Sequence, residues 1–269
     1  MQRRDFLKLG GASALLGLAP ATVLALPGGS SLGLTTFAGE RRLVVGASDL
    51  ALSAFGRGAE LVLADGSRRP LTTGADNASP LRRIIAASLD NEQHIVLLDA
   101  GLKRLERYAA DGGFLGTAAL PSGLGWSALA RDGHGRLWAA DSAKPGLWVQ
   151  DARGWQRLAL RQGLNPGELN GPSALAFDRD GRLHVLNSGN RRIDVYDQRS
   201  MHQGSYGDPD QQPRALTVTE HDEVLVLDSA GAWLHGYASG RRILRSDLGT
   251  TTPWRALAYR PEQGLYLSV

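Results

Sequence analysis

The chain has 269 residues, no cysteine and a formal net charge of +3. The lack of cysteine excludes disulfides, thiolate-held iron–sulfur clusters and cysteine-bound copper. Arg3, Arg4 and Lys8 against Asp5 supply +2 of the charge within the first eight residues. The remainder is near neutral, which leaves a globally basic nucleic-acid binder unsupported.

In chain order the first element is an export signal over residues 1–25. It has a basic head, an apolar run broken by Gly10, Gly11, Gly17 and Pro20, and a Val23–Ala25 segment suited to cleavage after Ala25. As a membrane span the run is short and weakly hydrophobic. Arg3 and Arg4, followed by Phe6, Leu7 and Lys8, resemble the twin-arginine translocation signal, with Gln2 where a Ser or Thr usually precedes the pair. Such a signal is a receptor-read address rather than an anchor. The resemblance implies export of a folded chain to the periplasm, with the membrane touched only during export.

Residues 26–269 read as one domain built on a repeat. The stretch GPSALAFDRDGRLHVLNSGNRRIDVYD (residues 171–197) predicts three short strands joined by two turns, since apolar and polar residues alternate with period two. The same strand–turn–strand grammar runs from Leu129 to Asp141 and from Leu216 to Asp228, and more weakly from Ala87 to Asp99 and from Leu257 to Val269. A sixth copy is read from Leu34 to Gly46, so the copies start 41 to 53 residues apart. Third strands follow in "SGNRRIDVYD", "AGAWLHGYAS", "AGLKRLERYAAD" and "SAKPGLWVQDA". A fourth, outer strand per unit predicts an all-β fold, a β-propeller of four-stranded blades, six of them with five as the alternative. The last copy ends after two strands, so ring closure is expected to borrow strand from the N-terminal region, whose extra length between Leu34 and Ala87 includes LALSAF and ELVLAD.

The segment GELNGPSALAFDRDGRLHVLNSGNRRIDVYDQRSMHQGSYG resembles an NHL repeat. It has the Pro before strand one, the Asp-x-x-Gly turn and the Gly-Asn-x-Arg-Ile entry to strand three. Asn187 stands where that family usually has Asp, while Asp99, Asp141 and Asp228 keep it. These residues are expected to bind the amides of the turn that follows.

The inner strand of each blade lines the channel, so the residues just before the repeat anchors should form one mouth. They include Arg214 and Arg255 beside Trp126 and Trp254, with Ser127 and Ser173 at the matching positions of other blades. Two arginines with two indoles would suit a carboxylate, a phosphate or an acidic side chain. Arg82 and Arg83 could add to the group. The competing reading buries the tryptophans between blades.

An enzyme of the lyase or lactonase kind, both known as propellers, would need His or acidic ligands converging on a metal at the axis. None of His94, His134, His184, His202, His221 and His235 occupies the expected mouth. Glu168 precedes one blade and reads as a loop residue. No P-loop, HExxH or EF-hand pattern occurs, and the Asp-Gly pairs read as hairpin turns. The sequence therefore favours a monomeric binding or scaffold module for a protein, peptide or small anionic ligand, without cofactor, metal or nucleic acid. A metal-dependent lyase or lactonase is the alternative, and an accessory factor for an exported redox enzyme a further one.

Overall fold

The structure, a computed structural model, describes residues 22–25, 31–37, 41–45, 48–52, 58–62, 67–72, 81–90, 92–207, 212–228, 233–248, 256–260 and 264–268. Among them every regular element is a strand, apart from a 3-10 turn at Ser188–Asn190. The twin-arginine pair, Trp254 and Arg255 lie outside the described residues.

The first strands are β1 (Thr22–Ala25) and β2 (Ser31–Phe37). Blade 1 then comprises β3 (Arg41–Val45), β4 (Ser48–Leu52), β5 (Ala59–Val62) and β6 (Arg68–Pro70). Blade 2 comprises β7 (Ile84–Leu89), β8 (Ile95–Asp99), β9 (Arg104–Tyr108) and β10 (Phe114–Ala119). Blade 3 comprises β11 (Trp126–Arg131), β12 (Leu137–Asp141), β13 (Gly146–Asp151) and β14 (Gly154–Arg157). Blade 4 comprises β15 (Pro172–Phe177), β16 (Leu183–Asn187), β17 (Arg192–Tyr196) and β18 (His202–Tyr206). Blade 5 comprises β19 (Pro213–Val218), β20 (Val224–Asp228), β21 (Trp233–Ala238) and β22 (Arg241–Asp247).

The sixth sheet is a hybrid. β23 (Ala256–Arg260) pairs with β24 (Gly264–Ser268), β24 pairs in parallel with β2, and β2 pairs with β1. The N-terminal strands thus complete the blade that the C-terminus begins, and the described residues form six four-stranded sheets. β3, β7, β11, β15, β19 and β23 each lie against the next, and β23 lies against β3. The fold is a β-propeller with these strands innermost.

One expectation is corrected here. Leu34 does not open an inner strand; it lies in β2 and pairs with Leu265 of β24. Ser31 and Leu32 therefore belong to the outer half of the closing blade, and the inner strand of blade 1 is β3. The other anchors, from Ala87 to Leu257, all fall in inner strands.

Burial explains why the second strands read as almost continuous apolar runs. IVLLD, LWAAD, LHVLN and VLVLD are buried at every residue, because both faces meet a neighbouring blade. Alternate residues of one strand serve different cores: Leu97 packs with Leu61 and Ile84 towards blade 1, Val96 and Leu98 with Leu137 towards blade 3. No blade buries its faces alone, which is how repeat architectures are held together. Outer strands such as FLGTAA and HQGSY alternate between half-buried and exposed instead.

In blades 2 to 5 the first hairpin turns on a buried side-chain oxygen. Asp132 Oδ1 accepts from the amides of His134 and Arg136, Asp90 Oδ1 from those of Glu92 and His94, and Asp178 Oδ1 from that of Arg182. In blade 5 Thr219 Oγ1 takes that place, accepting from the His221 and Glu223 amides. The turns need a left-handed residue, supplied by Gly135 and Gly181 in the clear copies and by Gln93 and Asp222 (φ 64° and 61°) in the weak ones.

Candidate functional site

The residues preceding each inner strand sit beside the turn between strands two and three. Backbone bonds join them in successive blades: Ala100 N to Arg83 O, Ser142 N to Gly125 O, and Gly189 N to Asn170 O. This rim is the expected mouth.

In blades 2 and 3 the Asp that ends the second strand binds the rim together. Asp99 Oδ1 accepts from the amides of Arg83, Gly101 and Leu102 at 2.8–3.1 Å, while its Oδ2 accepts from that of Arg82 at 2.8 Å. Asp141 Oδ1 does the same for Gly125, Ala143 and Lys144. Asp99 thus gives both oxygens to backbone, as the recurrence suggested, while Asp141 gives Oδ1 alone and its Oδ2 is buried without a hydrogen-bond partner among the described residues. Gly125 has no room for a Cβ, which would fall 2.6 Å from that of Ala143.

Asn187 keeps this role through Oδ1, which accepts from Asn170 N at 2.7 Å. Its Nδ2 donates to Asp194 Oδ2 at 2.6 Å and to Glu168 O at 2.8 Å. A buried carboxylate on β17 therefore explains the departure from Asp: two buried anions at that distance would repel. Arg192 Nε also reaches Asp194 (2.9 Å), and its guanidinium donates to the carbonyls of Leu164, Asn165 and Glu168. Asn190 Nδ2 donates to Gly163 O and Glu168 O, and Tyr196 OH to Gly167 O. The Gly-Asn-x-Arg-Ile signature is thus the clamp that holds residues 163–170 at the rim. Glu168 does not point to the axis: its Oε2 accepts from the amide and side chain of Asn165.

The expected mouth residues divide. Trp126 is a core residue, 5% exposed, packed edge-on against Trp148 at 5.8 Å and tilted against Trp155 at 5.6 Å between blades 2 and 3. It is corrected from ligand contact to inter-blade packing, because an indole entering an inner strand buries more apolar area between blades than in the channel. Ser127 and Ser173 do lie at the rim and latch neighbouring blades. Ser127 Oγ donates to Pro172 O at 2.6 Å, and Ser173 Oγ meets Ser188 Oγ, which donates to Pro213 O at 3.2 Å. Arg214 is exposed at the start of β19.

Around this rim Arg82, Arg83, Lys103, Lys144, Arg191 and Arg214 are exposed, and among the described residues the first four make no ion pair. The inner strands themselves read RRLVV, IIAASL, WSALAR, PSALAF, PRALTV and ALAYR, without His, Asp or Glu.

The histidines lie away from the axis. His134 and His221 are exposed in turns, as expected, while His184 and His235 are buried in strands two and three. Asp90, Glu92 and His94 form the metal-compatible cluster of the described residues. Its centre is taken by Arg107, whose guanidinium bonds Asp90 Oδ2 and lies 3.5 Å from Glu92 Oε2 and 3.1 Å from His94 Nδ1. Burial pushes the Asp90 carboxyl up, but the hydrogen bonds from Arg107 and two amides outweigh it and hold the group low.

A second concave feature lies on the opposite face, between blades 4 and 5. It has a volume of about 910 Å³ and includes Asp178, His184, Tyr206, Asp222 and Arg241. Sequence reading missed it because these five residues come from five separate strands and turns.

No family model matches the chain, and no curated protein matches it. Solved structures do. Streptogramin B lyase is similar with a TM-score of 0.65 at 12% identity, over 84% of this chain and 74% of that one. A gluconolactonase from Xanthomonas campestris is similar with a TM-score of 0.64 at 17% identity, over 95% of this chain and 94% of that one. A nidogen/laminin complex contains a chain similar with a TM-score of 0.60 at 16% identity, over 83% and 81% respectively. At such identities the likeness establishes the shared fold, a β-propeller, and leaves the chemistry to each chain's own residues.

Proposed function

We propose that this chain is a propeller binding module whose basic rim takes an anionic partner, a protein or peptide acidic segment or a small anion. The observation that carries the reading is the charge balance of that rim. Among the described residues Arg82, Arg83, Lys103 and Lys144 stand exposed without ion pairs, while the acids beside them, Asp99 and Asp141, are buried and turned to backbone amides. Arg214, exposed at the start of β19, extends the same face. The NHL-like blade and the protein complex among the similar structures support a partner-binding role. The twin-arginine head supports a periplasmic setting.

The test is binding of a poly-glutamate peptide, measured by fluorescence anisotropy against ionic strength. Binding should weaken steeply between about 50 and 200 mM salt, as screening shortens to about 8 Å, and the double variant R82E/R83E should reduce it at least tenfold. Salt-independent binding, or a variant that binds like the wild type, would overturn the reading.

The lyase or lactonase alternative rests on the activities of two similar structures. It requires near-stoichiometric metal in protein purified without a metal-affinity tag, measured by mass spectrometry. Association with an exported redox enzyme would show as co-purification with one.

A further inference from the structure

The cleft between blades 4 and 5 holds a relay that the fold does not need for its turn. Asp178 Oδ1 already closes the hairpin by accepting from the Arg182 amide at 2.8 Å. Its Oδ2 accepts from Arg182 Nε at 2.7 Å and faces His184 Nε2 at 3.1 Å. The other ring nitrogen, His184 Nδ1, lies 3.0 Å from Tyr206 OH. An ionised carboxylate can only accept, so Nε2–H donates to Asp178, and in that tautomer the unprotonated Nδ1 accepts the hydrogen bond of the Tyr206 O–H. The phenol oxygen is left as an acceptor in a fixed position, and only a hydrogen-bond donor suits it.

The remaining lining has two charged ends. Arg182 is the cation for Asp178 and Asp180, at 2.7 and 3.0 Å, and Asp222 also lies within its field. That end keeps an excess of negative charge. Asp222 itself has given one oxygen to the Arg179 amide at 2.8 Å. The other end is Arg241, exposed and without an ion pair among the described residues. It follows a tight turn in which Ser239 and Gly240 are both left-handed (φ 49° and 76°), a rigid hairpin geometry. A Cβ built on Gly240 would lie 3.7 Å from the Tyr206 ring, so this hairpin packs on the same wall. Tyr206 and Tyr237, with centroids 5.1 Å apart, make that wall aromatic.

We propose that this cleft binds a short zwitterionic peptide. The ammonium group meets the Tyr206 oxygen and the Asp222 carboxylate, the terminal carboxylate pairs with Arg241, and an apolar side chain lies against Tyr206. At about 910 Å³ the site is near the upper end of the ~300–1,000 Å³ range of small-ligand pockets, which suits a few residues better than one. It lies on the face opposite the basic rim and stands or falls independently of that site.

The experiment follows backbone amide shifts of the 15N-labelled protein on titration with the tripeptide Ala-Leu-Ala, and with its N-acetylated, C-amidated form. Shifts at Tyr206 and at Ser239–Arg241 are expected with the free peptide, and binding at least tenfold weaker with the blocked one. Arg241→Gln should weaken the free peptide at least tenfold, and Tyr206→Phe, which keeps the ring and deletes the oxygen, severalfold. Thermal melts on each variant confirm that it is folded. Absence of shifts at millimolar peptide, equal binding of the blocked form, or indifference to Arg241→Gln would each overturn the proposal.

Discussion

Asp178 shows how one side chain joins turn, core and cleft. Burial pushes its carboxyl up, but the hydrogen bonds from His184, Arg182 and the Arg182 amide outweigh that and hold it at about 2, against an ordinary 3.8. A folded-state value below the unfolded one means that the ionised group stabilises the fold above about pH 4, and that this contribution disappears as pH falls towards 2. The shift corresponds to about 2 kcal/mol. Asp178→Asn should therefore lose about 2 kcal/mol at pH 7 in urea melts, and the gap to the wild type should shrink to about a third of that by about pH 2.5. A gap of equal size at both pH values would assign the loss to shape rather than charge. The turn role of this Asp was legible from the Asp-x-x-Gly spacing. Its bond to His184 was not, because that contact depends on which face of β16 each residue takes. Trp126 was misplaced for a similar reason: a large ring entering an inner strand can face either a neighbouring blade or the channel, and residue type alone does not choose.

At the scale of the element, the NHL-like blade owes its clear signature to a clamp rather than to its strands. Strand alternation recurs in weak and strong copies alike, because any half-buried strand satisfies it. What sets residues 163–197 apart is that Arg192, Asn190 and Tyr196 all donate to the carbonyls of one preceding loop, with Arg192 also paired to the buried Asp194. Gly189 belongs to the same device, since a Cβ there would lie 2.4 Å from Asn170 O. Lysine keeps the charge of Arg192 but lacks the planar fork that serves several acceptors at once. Arg192→Lys should lower stability by about 2 kcal/mol, less than the ~3–5 kcal/mol of deleting one partner from a buried ion pair. Amide exchange should speed up at least tenfold at residues 163–170 while β16 stays protected. Uniformly faster exchange across the blade would show that Arg192 supports the blade at large and not this loop.

The whole molecule is closed by two ends of the chain that the repeat pattern alone does not align. N-terminal strands do complete the last blade, but they are β1 and β2 and not LALSAF or ELVLAD, whose first residues fall on β4 and β5 of blade 1. The strand containing Leu34 was assigned to blade 1 because SLGLTTF alternates as an inner strand does and periodicity carries no information on radius. In the structure β2 pairs in parallel with β24 and covers an edge that would otherwise present unpaired amides and carbonyls. β1 comprises the last four residues before the expected cleavage point, so a processed chain would keep β2 and lose only the outermost strand. Two truncations separate these roles. A chain of residues 26–269 should melt cooperatively and elute as a single compact species. A chain of residues 38–269, lacking β2 as well, exposes β24 and should lose its cooperative transition or associate through that edge, visible as larger species on size exclusion. Equal behaviour of the two chains would mean that the ring holds without the N-terminal strand, and that β23 and β24 are secured by blades 1 and 5 alone.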